Sequence, residues 1–586
     1  MDHQSTSTAT EPSANGQPAT ADTQLLSGSE IILRTLVGEG VETVFGYPGG
    51  AIMPVYDALY DFNGQLKHIL TRHEQGAIHA AQGFARASGK VGVVFATSGP
   101  GATNLVTGLA DAQIDSTPVV CITGQVYASL LGSDAFQETD VINITAPVTK
   151  WNFQVTDASE IPDAISKACF IARTGRPGPV LVDITKNAQL EKTPYSGHRP
   201  YTHLRSYRPK PIVRPKFVEE AAQFINEAKR PFILFGQGII LGNAEAEFKA
   251  FIEKSGIPAA WTLLGLSALP TDHPLNVGML GMHGNYGPNV LTNECDVLIA
   301  IGMRFDDRVT GRLDKYAKQA KIIHFDIDPA EIDKNVKTTV AVWGDCKETL
   351  PMLTRLVEEK KHTEWLQRFR EHDEEERTQV IFEELNPTCD ELSMGEVVRE
   401  INEATNGDAI IVTDVGQHQM VASRYAQFNS SRSSITSGGL GTMGFGLPAA
   451  IGAKFGAPHR PVIAIVGDGG FQMTLQELGV MMQYGVDVKV VILNNNFLGM
   501  VRQWQELFLE KRYSSVDMQN PDFVAIAKAY GVEGQAVSRR EDLKNAIKTM
   551  LQDQPKGYLL EVVVGKENNV FPMVPQGCSV AEIRLK

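Results

Sequence analysis

Cysteine is scarce in this sequence. Six residues in 586 (Cys121, Cys169, Cys295, Cys346, Cys389 and Cys578) lie far apart with no C-x-x-C pair. That pattern excludes a disulfide framework and a zinc knuckle, and it fits a reducing cytoplasm. Positive charge is also in deficit: 54 Lys and Arg stand against 68 Asp and Glu, a net charge of −14. Nothing there suits tracking a phosphate backbone, so nucleic acid is not an expected partner. No long apolar run is present. The longest uncharged stretch that bears on a membrane, Ser433 to Ala453, carries six Gly and one Pro. It is too polar and broken to span a bilayer, and reads as backbone built for close approach. Residues 1–24 have no apolar segment and no Lys or Arg, the first being Arg34. They are expected to form a disordered tail, neither a secretory signal nor an Arg-rich transit peptide.

What the chain does have is ample material for several cores, with 43% hydrophobic residues, 53 Gly and 30 Pro. At roughly 100 to 200 residues per domain, about three to five domains are expected. Short β-branched runs alternate with amphipathic stretches three times over, which predicts an α/β fold of three doubly wound parallel-sheet domains. The expected boundaries are 25–190 for the first lobe, a linker over 191–215, 216–378 for the middle lobe, 379–565 for the third, and a C-terminal lid segment over 566–586. The charged run at 357–377 in the middle lobe reads as a solvated connector helix. The first and third lobes close alike, GRPGPVLVDI against QPKGYLLEVVV, a weak sign of two related units.

The most informative motif is Gly467-Asp468-Gly469-Gly470, followed 27 residues later by Asn495 within an Asn triplet. Strand, Gly-rich turn, helix and strand between them form a βαβ unit that brings Asp468 and Asn495 to one carboxyl edge. A carboxylate and an amide carbonyl are hard oxygen ligands suited to Mg²⁺, with a backbone carbonyl near Phe497, water and diphosphate oxygens completing the shell. A generic crossover with Asp468 as a helix cap is the plainer alternative for G-D-G alone.

The Asp and Asn pair at this spacing resembles enzymes that bind thiamine diphosphate through a metal. That resemblance implies that Val415, Gly416, Gln417 and His418 line the diphosphate with Gly467, Gly469 and Gly470. It makes Glu74, in R-H-E-Q-G-A, the carboxyl that activates the aminopyrimidine across a subunit interface. The Gly441 carbonyl would receive the ring amine, and Met443 would bend the cofactor.

Gly236-Gln237-Gly238 alone is better read as a structural turn than as a dinucleotide motif. Beside it stands Arg304-Phe305-Asp306-Asp307-Arg308 after the strand DVLIAIGM. With FGYPGGA, GRPGPVLVD, GMLGMHG, RFDDRVTG and GMVRQWQ, residues 25–586 resemble the catalytic subunit of the acetohydroxyacid synthase (acetolactate synthase) family. The resemblance implies a structural FAD against Arg176, Gly236, Gly238, Thr262, Leu263, His283, Gly302, Arg304, Arg308, Asp326, Ile327 and Asp345. It implies decarboxylation of pyruvate and condensation of the resulting hydroxyethyl-thiamine with a second 2-ketoacid, pyruvate or 2-ketobutyrate. Gly50, Gln137 and Lys186 would line the reaction chamber. Arg308 would clamp the acceptor carboxylate, with Trp504, Met500 and Val501 against its alkyl group. A homodimer or tetramer and a small regulatory subunit are implied as well. Tyr127 departs from the Pro common in the family beside the substrate channel, which bears on inhibitor sensitivity more than on catalysis. A flavin-dependent pyruvate oxidase, an FAD-free catabolic acetolactate synthase and a noncatalytic paralogue are the rival readings.

Overall fold

The computed structural model describes residues 24–586 apart from residue 63. The tail expected over 1–24 therefore lies, save for Gln24, outside the described residues. The described chain opens on β1 (Gln24–Ser27). A first parallel sheet follows, built from β2 (Thr43–Gly46), β3 (Lys67–Leu70), β4 (Gly92–Ala96), β5 (Val119–Gln125), β6 (Trp151–Val155) and β7 (Val180–Thr185). Its strand order is β3-β2-β4-β5-β7-β6. β8 (Lys192–Tyr195) then pairs antiparallel with β1. Part of the expected linker is thus a strand, which tolerates Pro194 because it lies in a two-stranded ribbon where every strand is an edge.

The middle sheet contains β9 (Pro231–Phe235), β10 (Ala259–Trp261), β11 (Asn276–Met279), β12 (Val297–Ile301), β13 (Lys321–Asp326) and β14 (Val340–Trp343) in the order β11-β10-β9-β12-β13-β14. The third contains β15 (Ile410–Thr413), β16 (Ser434–Thr436), β17 (Val462–Gly467), β18 (Lys489–Asn494), β19 (Glu533–Val537) and β20 (Tyr558–Val563) in the order β16-β15-β17-β18-β20-β19. Counted from each sheet's own first strand, the first and third lobes have the same order, so the weak likeness of their closing segments reflects a shared topology. β17 and β18 are buried along their whole length, as near-continuous apolar runs covered on both faces must be.

These orders decide where ligands can sit. Each sheet has an inner place where neighbouring strands send their connections to opposite sides: between β2 and β4, between β9 and β12, and between β15 and β17. There the loops leave in opposite directions and open a crevice at the carboxyl ends of the strands. The three reversals carry Gly50 and the Thr97–Gly101 turn, Gly236–Gly238 with Arg304–Arg308, and Gly416–His418 with Gly467–Gly470.

The first and third lobes meet through the helices Glu74–Ser88 and Gly446–Gly456. A Cβ on Gly83 would collide with the Ala449 carbonyl, and one on Gly452 with that of Ala80. The uncharged, Gly-rich stretch is indeed backbone in close approach, and no described helix is long and apolar enough to cross a membrane.

The charged run at 357–377 is not the solvated connector expected. Its helix covers Thr363–Glu376 and continues as a wide turn over Arg377–Ile381 and a further helix, Phe382–Leu385. Trp365 and Phe369 are buried on the middle lobe, with Phe369 5.0 Å from the Phe232 ring. Glu376 is fully buried against Arg424 of the third lobe and accepts hydrogen bonds from Asn285 Nδ2 (3.1 Å) and Tyr286 N (2.6 Å). The dense charge masked two aromatic residues at i, i+4 spacing, which is enough to dock one helical stripe.

Candidate active site

The third-lobe crevice is built around His418. Gly416 ends the loop after β15 and precedes the helix Gln417–Tyr425, while Gly467 ends β17 and precedes the helix Asp468–Thr474. A Cβ on either glycine would stand 2.9 Å from His418 Cε1, so both must be bare for the imidazole to fit. Burial pushes His418 down to about 4 and keeps it neutral, and its Nε2 is buried without a partner. Carrying the ring's single proton, that nitrogen could donate to a diphosphate oxygen at the mouths of two helices and two glycine turns. Beneath it, Asp414 accepts from Val415 N (2.8 Å), Gly444 N (3.0 Å) and Gly446 N (2.8 Å), fixing the end of the loop that bears Gly441 and Met443.

The βαβ unit is present, with β17 and β18 adjacent and parallel. Asp468 and Asn495 are both buried, and a residue the motif did not reveal ties their loops together. Asn520 Nδ2 donates to Asp468 Oδ2 (2.7 Å), Asn494 Oδ1 (3.0 Å) and Asn496 Oδ1 (3.2 Å). Asn495 Oδ1 accepts from Phe497 N (3.1 Å), and its Nδ2 points to Gln417 Oε1 (3.4 Å). Among the described residues no group of three or more His, Cys, Asp or Glu could hold a metal by itself. The donor set is one carboxylate with amide oxygens, which suits Mg²⁺ that takes its other ligands from phosphate and water. Asp468 Oδ1 also accepts from its neighbour Gly469 N at 3.0 Å, but the N-cap of the helix is Gly467 and no side chain caps it, so Asp468 is not the helix cap of the plainer alternative.

In the first lobe Glu74 opens the helix Glu74–Ser88, with His73 as its N-cap. It is 8% exposed and does not pair with Arg72, whose guanidinium instead donates to the Leu70 and Gly479 carbonyls and to Gln483. Glu74 Oε2 accepts from Asn104 Nδ2 at 3.0 Å. The same turn is held by a third-lobe carboxyl: Glu477 accepts from Arg72 N at 3.1 Å, fills the space a Cβ on Gly76 would need, and is pushed up to about 7 by burial. Gln137, at φ +61, packs on Gly99, and Ala51 N beside Gly50 donates to Thr97 Oγ1 (3.2 Å). Lys186 follows β7 with its Nζ 6.0 Å from the centre of the Tyr127 ring. These residues gather at the first sheet's carboxyl edge. No hydrogen bond among the described residues joins Glu74 to the loop carrying Gly441 and Met443.

Between the lobes lies a cavity of 1140 Å³. Arg176, Gly238, Thr262, Leu263, His283, Gly302, Arg304, Arg308, Asp326, Ile327 and Asp345 line it, as do Val415, Gly416, Gly441, Met443, Met500, Val501 and Trp504. Glu74, Gly50, Gln137 and Lys186 do not. Gly236 is outside the lining as well: a Cβ there would collide with the Gly302 carbonyl, so its role is to let β9 and β12 pack. Asp306 caps the short helix Asp307–Thr310, accepting from Arg308 N (3.0 Å) and Val309 N (3.2 Å). The two Arg and two Asp of this turn pair only loosely, with 3.9 Å for Arg304–Asp306 and 3.7 Å for Arg308–Asp307, so both guanidiniums are available to a ligand. Arg176 is committed to Asp328 (3.1 Å) and Glu331 (2.7 Å). His283 is pushed down to about 4 by burial and leaves Nδ1 unpartnered beside the cavity. Volume and guanidiniums fit a dinucleotide with an anionic centre, and the neutral imidazole of His283 offers one further hydrogen-bonding position.

The loop from Ser437 to Met443 is gripped from another lobe. Asp115 accepts from Gly438 N (2.8 Å), Gly439 N (2.7 Å) and Arg86 Nη2 (2.9 Å), and Asp111 accepts from the Ser437 and Thr442 hydroxyls. Neither aspartate had a signal in the sequence, because each acts on partners more than 300 positions away.

The fold and the three crevices define a thiamine pyrophosphate enzyme. Family models described as the N-terminal TPP binding domain, the central domain and the C-terminal TPP binding domain of such enzymes match residues 26–144, 218–353 and 414–562. The chain is 46% identical over 554 residues to the acetolactate synthase large subunit of Lactococcus lactis, covering 94% of this chain and 95% of that protein. It is 46% identical over 570 residues to a probable acetolactate synthase large subunit of Methanocaldococcus jannaschii, covering 95% of each. To the isozyme 2 large subunit of Escherichia coli it is 45% identical over 563 residues, covering 96% of this chain and all of that protein. The chain belongs to the acetolactate synthase large-subunit family.

Proposed function

We propose that the chain decarboxylates pyruvate and joins the remaining two-carbon unit to a second 2-ketoacid, giving 2-acetolactate from pyruvate or 2-aceto-2-hydroxybutyrate from 2-ketobutyrate. This is the first common step of valine, leucine and isoleucine synthesis. Two pyruvate anions and one proton yield one 2-acetolactate anion and one CO₂. The observation that carries the reading is the cavity in which Arg308 and the side chains of Met500, Val501 and Trp504 adjoin Gly441 and Met443. A guanidinium for a carboxylate and an apolar wall for an alkyl group form an acceptor site beside the thiamine loop.

Thiamine diphosphate supplies the nucleophilic carbon and the electron sink for losing CO₂. The chain's own residues do the rest. Glu74, buried and steadied by Asn104, is suited to hold a proton against the aminopyrimidine. Gln417, His418 and the glycines at 416, 467, 469 and 470 are suited to receive the diphosphate, with Mg²⁺ held by Asp468, Asn495 and the Phe497 carbonyl. Gly50, Gln137 and Lys186 would close the chamber against water, which otherwise diverts the two-carbon unit to acetaldehyde. FAD would occupy the middle-lobe side of the cavity in a structural role. Gly236 would serve that set by letting β9 and β12 close up behind the cavity, and Arg176 acts there through an acid pair already made.

A homodimer, alone or paired into a tetramer, is part of this proposal. Met53, Tyr127, Leu130 and the 89% exposed Phe136 leave an apolar surface around the Glu74 edge, which the third lobe of a second copy would cover while completing the site. The relatives' designation as large subunits supports a small regulatory partner. We place the protein in the cytoplasm and assign the domain limits 25–190, 216–378 and 379–565. The test is product analysis with protein loaded with thiamine diphosphate, Mg²⁺ and FAD: pyruvate alone should give 2-acetolactate, and added 2-ketobutyrate should divert product to 2-aceto-2-hydroxybutyrate. Acetaldehyde as the sole product would refute carboligation.

A further inference from the structure

The helix Gly499–Phe508 presents Met500, Val501 and Trp504 to the cavity, yet it is poorly anchored by apolar packing. Of its ten residues only Arg502 and Gln503 are buried. Val501 is 49% exposed and Phe508 38% exposed. Arg502 bonds to Glu506 of the same helix (3.2 Å) and to Glu567 and lies over the Phe497 and Tyr513 rings (4.9 and 4.5 Å to their centres), while Gln505 pairs with Ser514 and Glu506 accepts from Asn569 Nδ2 (3.3 Å); none of these contacts reaches the diphosphate turn. Gln503 is different. It is fully buried, and its amide uses every hydrogen-bonding position it has. Oε1 accepts from Val570 N (2.9 Å) and from Gln417 Nε2 (3.0 Å). Nε2 donates to Val570 O (3.1 Å) and to Met573 Sδ (3.6 Å).

Those partners come from two places that matter. Gln417 belongs to the turn suited to the diphosphate, and its Nε2 also donates to Asn568 O (3.0 Å). Val570 and Asn568 belong to the C-terminal segment. The helix start is pressed against the same turn, because a Cβ on Gly499 would collide with Gln417 Oε1. A row of amides, Asn495 to Gln417 to Gln503, therefore runs from the βαβ crossover to the helix beneath Trp504.

We propose that Gln503 is a specificity-setting positioning residue: its saturated amide fixes the distance between the apolar wall of Met500, Val501 and Trp504 and the diphosphate turn, and so sets which acceptor ketoacid the site prefers. The proposal rests on the carboligation reading above. Gln503 touches no reacting atom. It acts because Gln503 is the buried tie between this helix and the diphosphate turn, so the helix start shifts against that turn when the tie goes, and a wall that discriminates one methylene loses its advantage when displaced by a fraction of an ångström. Contacts of that kind separate substrates by roughly 10 to 200-fold.

Gln503→Met keeps the length of the side chain and deletes the hydrogen bonds, while Gln503→Glu keeps the two acceptor positions and deletes both donors. Each is loaded with thiamine diphosphate, Mg²⁺ and FAD and given pyruvate and 2-ketobutyrate in competition. The preference for 2-aceto-2-hydroxybutyrate should fall about tenfold in Gln503→Met and by less in Gln503→Glu. A merely structural role would lower rate and stability and leave the product ratio intact. Amide hydrogen exchange on the same samples should rise together across residues 499–508 and 566–573. A folded Gln503→Met enzyme with the wild-type product ratio overturns the proposal, and so does unchanged exchange in both segments. Wild-type protein that makes neither acetohydroxyacid would refute the carboligation reading itself, and the exchange arm would still decide whether Gln503 anchors the helix.

Discussion

Glu74 and Glu477 are two buried carboxyls that meet the same turn from different lobes, and they should respond to substitution in different ways. Glu74→Gln preserves a hydrogen-bonding amide and removes the proton, so thiazolium proton exchange followed by NMR should slow by about 10² to 10⁴-fold. Unchanged exchange would remove Glu74 from the role. Glu477 should show itself in stability. Its carboxyl holds a proton up to about 7 in the folded protein, against 4.5 when unperturbed. The folded state therefore binds more protons between those values, and stability falls as pH rises through that window. The displacement corresponds to about 3 kcal/mol. Denaturation at pH 5 and pH 8 should show a smaller loss in Glu477→Gln, which resembles the protonated acid at both. Trp504 packs on Phe508 with ring centres 5.0 Å apart and still lines the cavity, so that packing is compatible with the wall role proposed for it. Of these residues Glu74 and Trp504 were legible because they sit in short, chemically distinctive motifs. Asn520, Asp414, Asp111 and Gln503 are ordinary residue types whose meaning lies in partners distant in sequence, and no local pattern announces them.

Elements were most legible where burial leaves a one-dimensional trace. VIAIVG and KVVILN could only be covered strands, and the crossover between them brought the expected residues to one edge. The helix Thr363–Glu376 was misread because its charge count is high and only Trp365, Phe369 and Glu376 face inward. β8 was missed because four residues with a proline carry almost no strand signal. The helix pair Glu74–Ser88 and Gly446–Gly456 offers a test at this scale. A methyl on Gly83 or Gly452 meets a backbone carbonyl, not a side chain able to rotate away. Gly83→Ala and Gly452→Ala should each lose about 1 to 3 kcal/mol in denaturant titrations. Destabilisation below a few tenths would mean that the two helices can separate at little cost.

At the scale of the whole molecule, three reversals of strand order make three crevices: FAD is proposed for the middle one, and thiamine diphosphate for the third, with its pyrimidine ring meeting Glu74 at the first. Asp468→Ala should abolish Mg²⁺-dependent retention of thiamine diphosphate in equilibrium dialysis and leave FAD bound, because Asp468 is absent from the lining of the flavin-sized cavity. Loss of both together would mean that the crevices are one site. Repeated α/β alternation made three lobes readable in the sequence. How the lobes meet was not readable, since it is written in glycine contacts, in Glu376 with Arg424, and in Asp111 and Asp115 reaching across to the third lobe. The central proposal is that these lobes form a carboligase and that FAD, when bound, would take no part in redox chemistry. The most direct measurement follows flavin absorbance while carbon is accounted for during turnover of pyruvate by the fully loaded protein. The account predicts one 2-acetolactate and one CO₂ for every two pyruvate consumed, with the flavin spectrum steady throughout. Bleaching of the flavin at the rate of turnover, with acetate or acetaldehyde in place of 2-acetolactate, would contradict it.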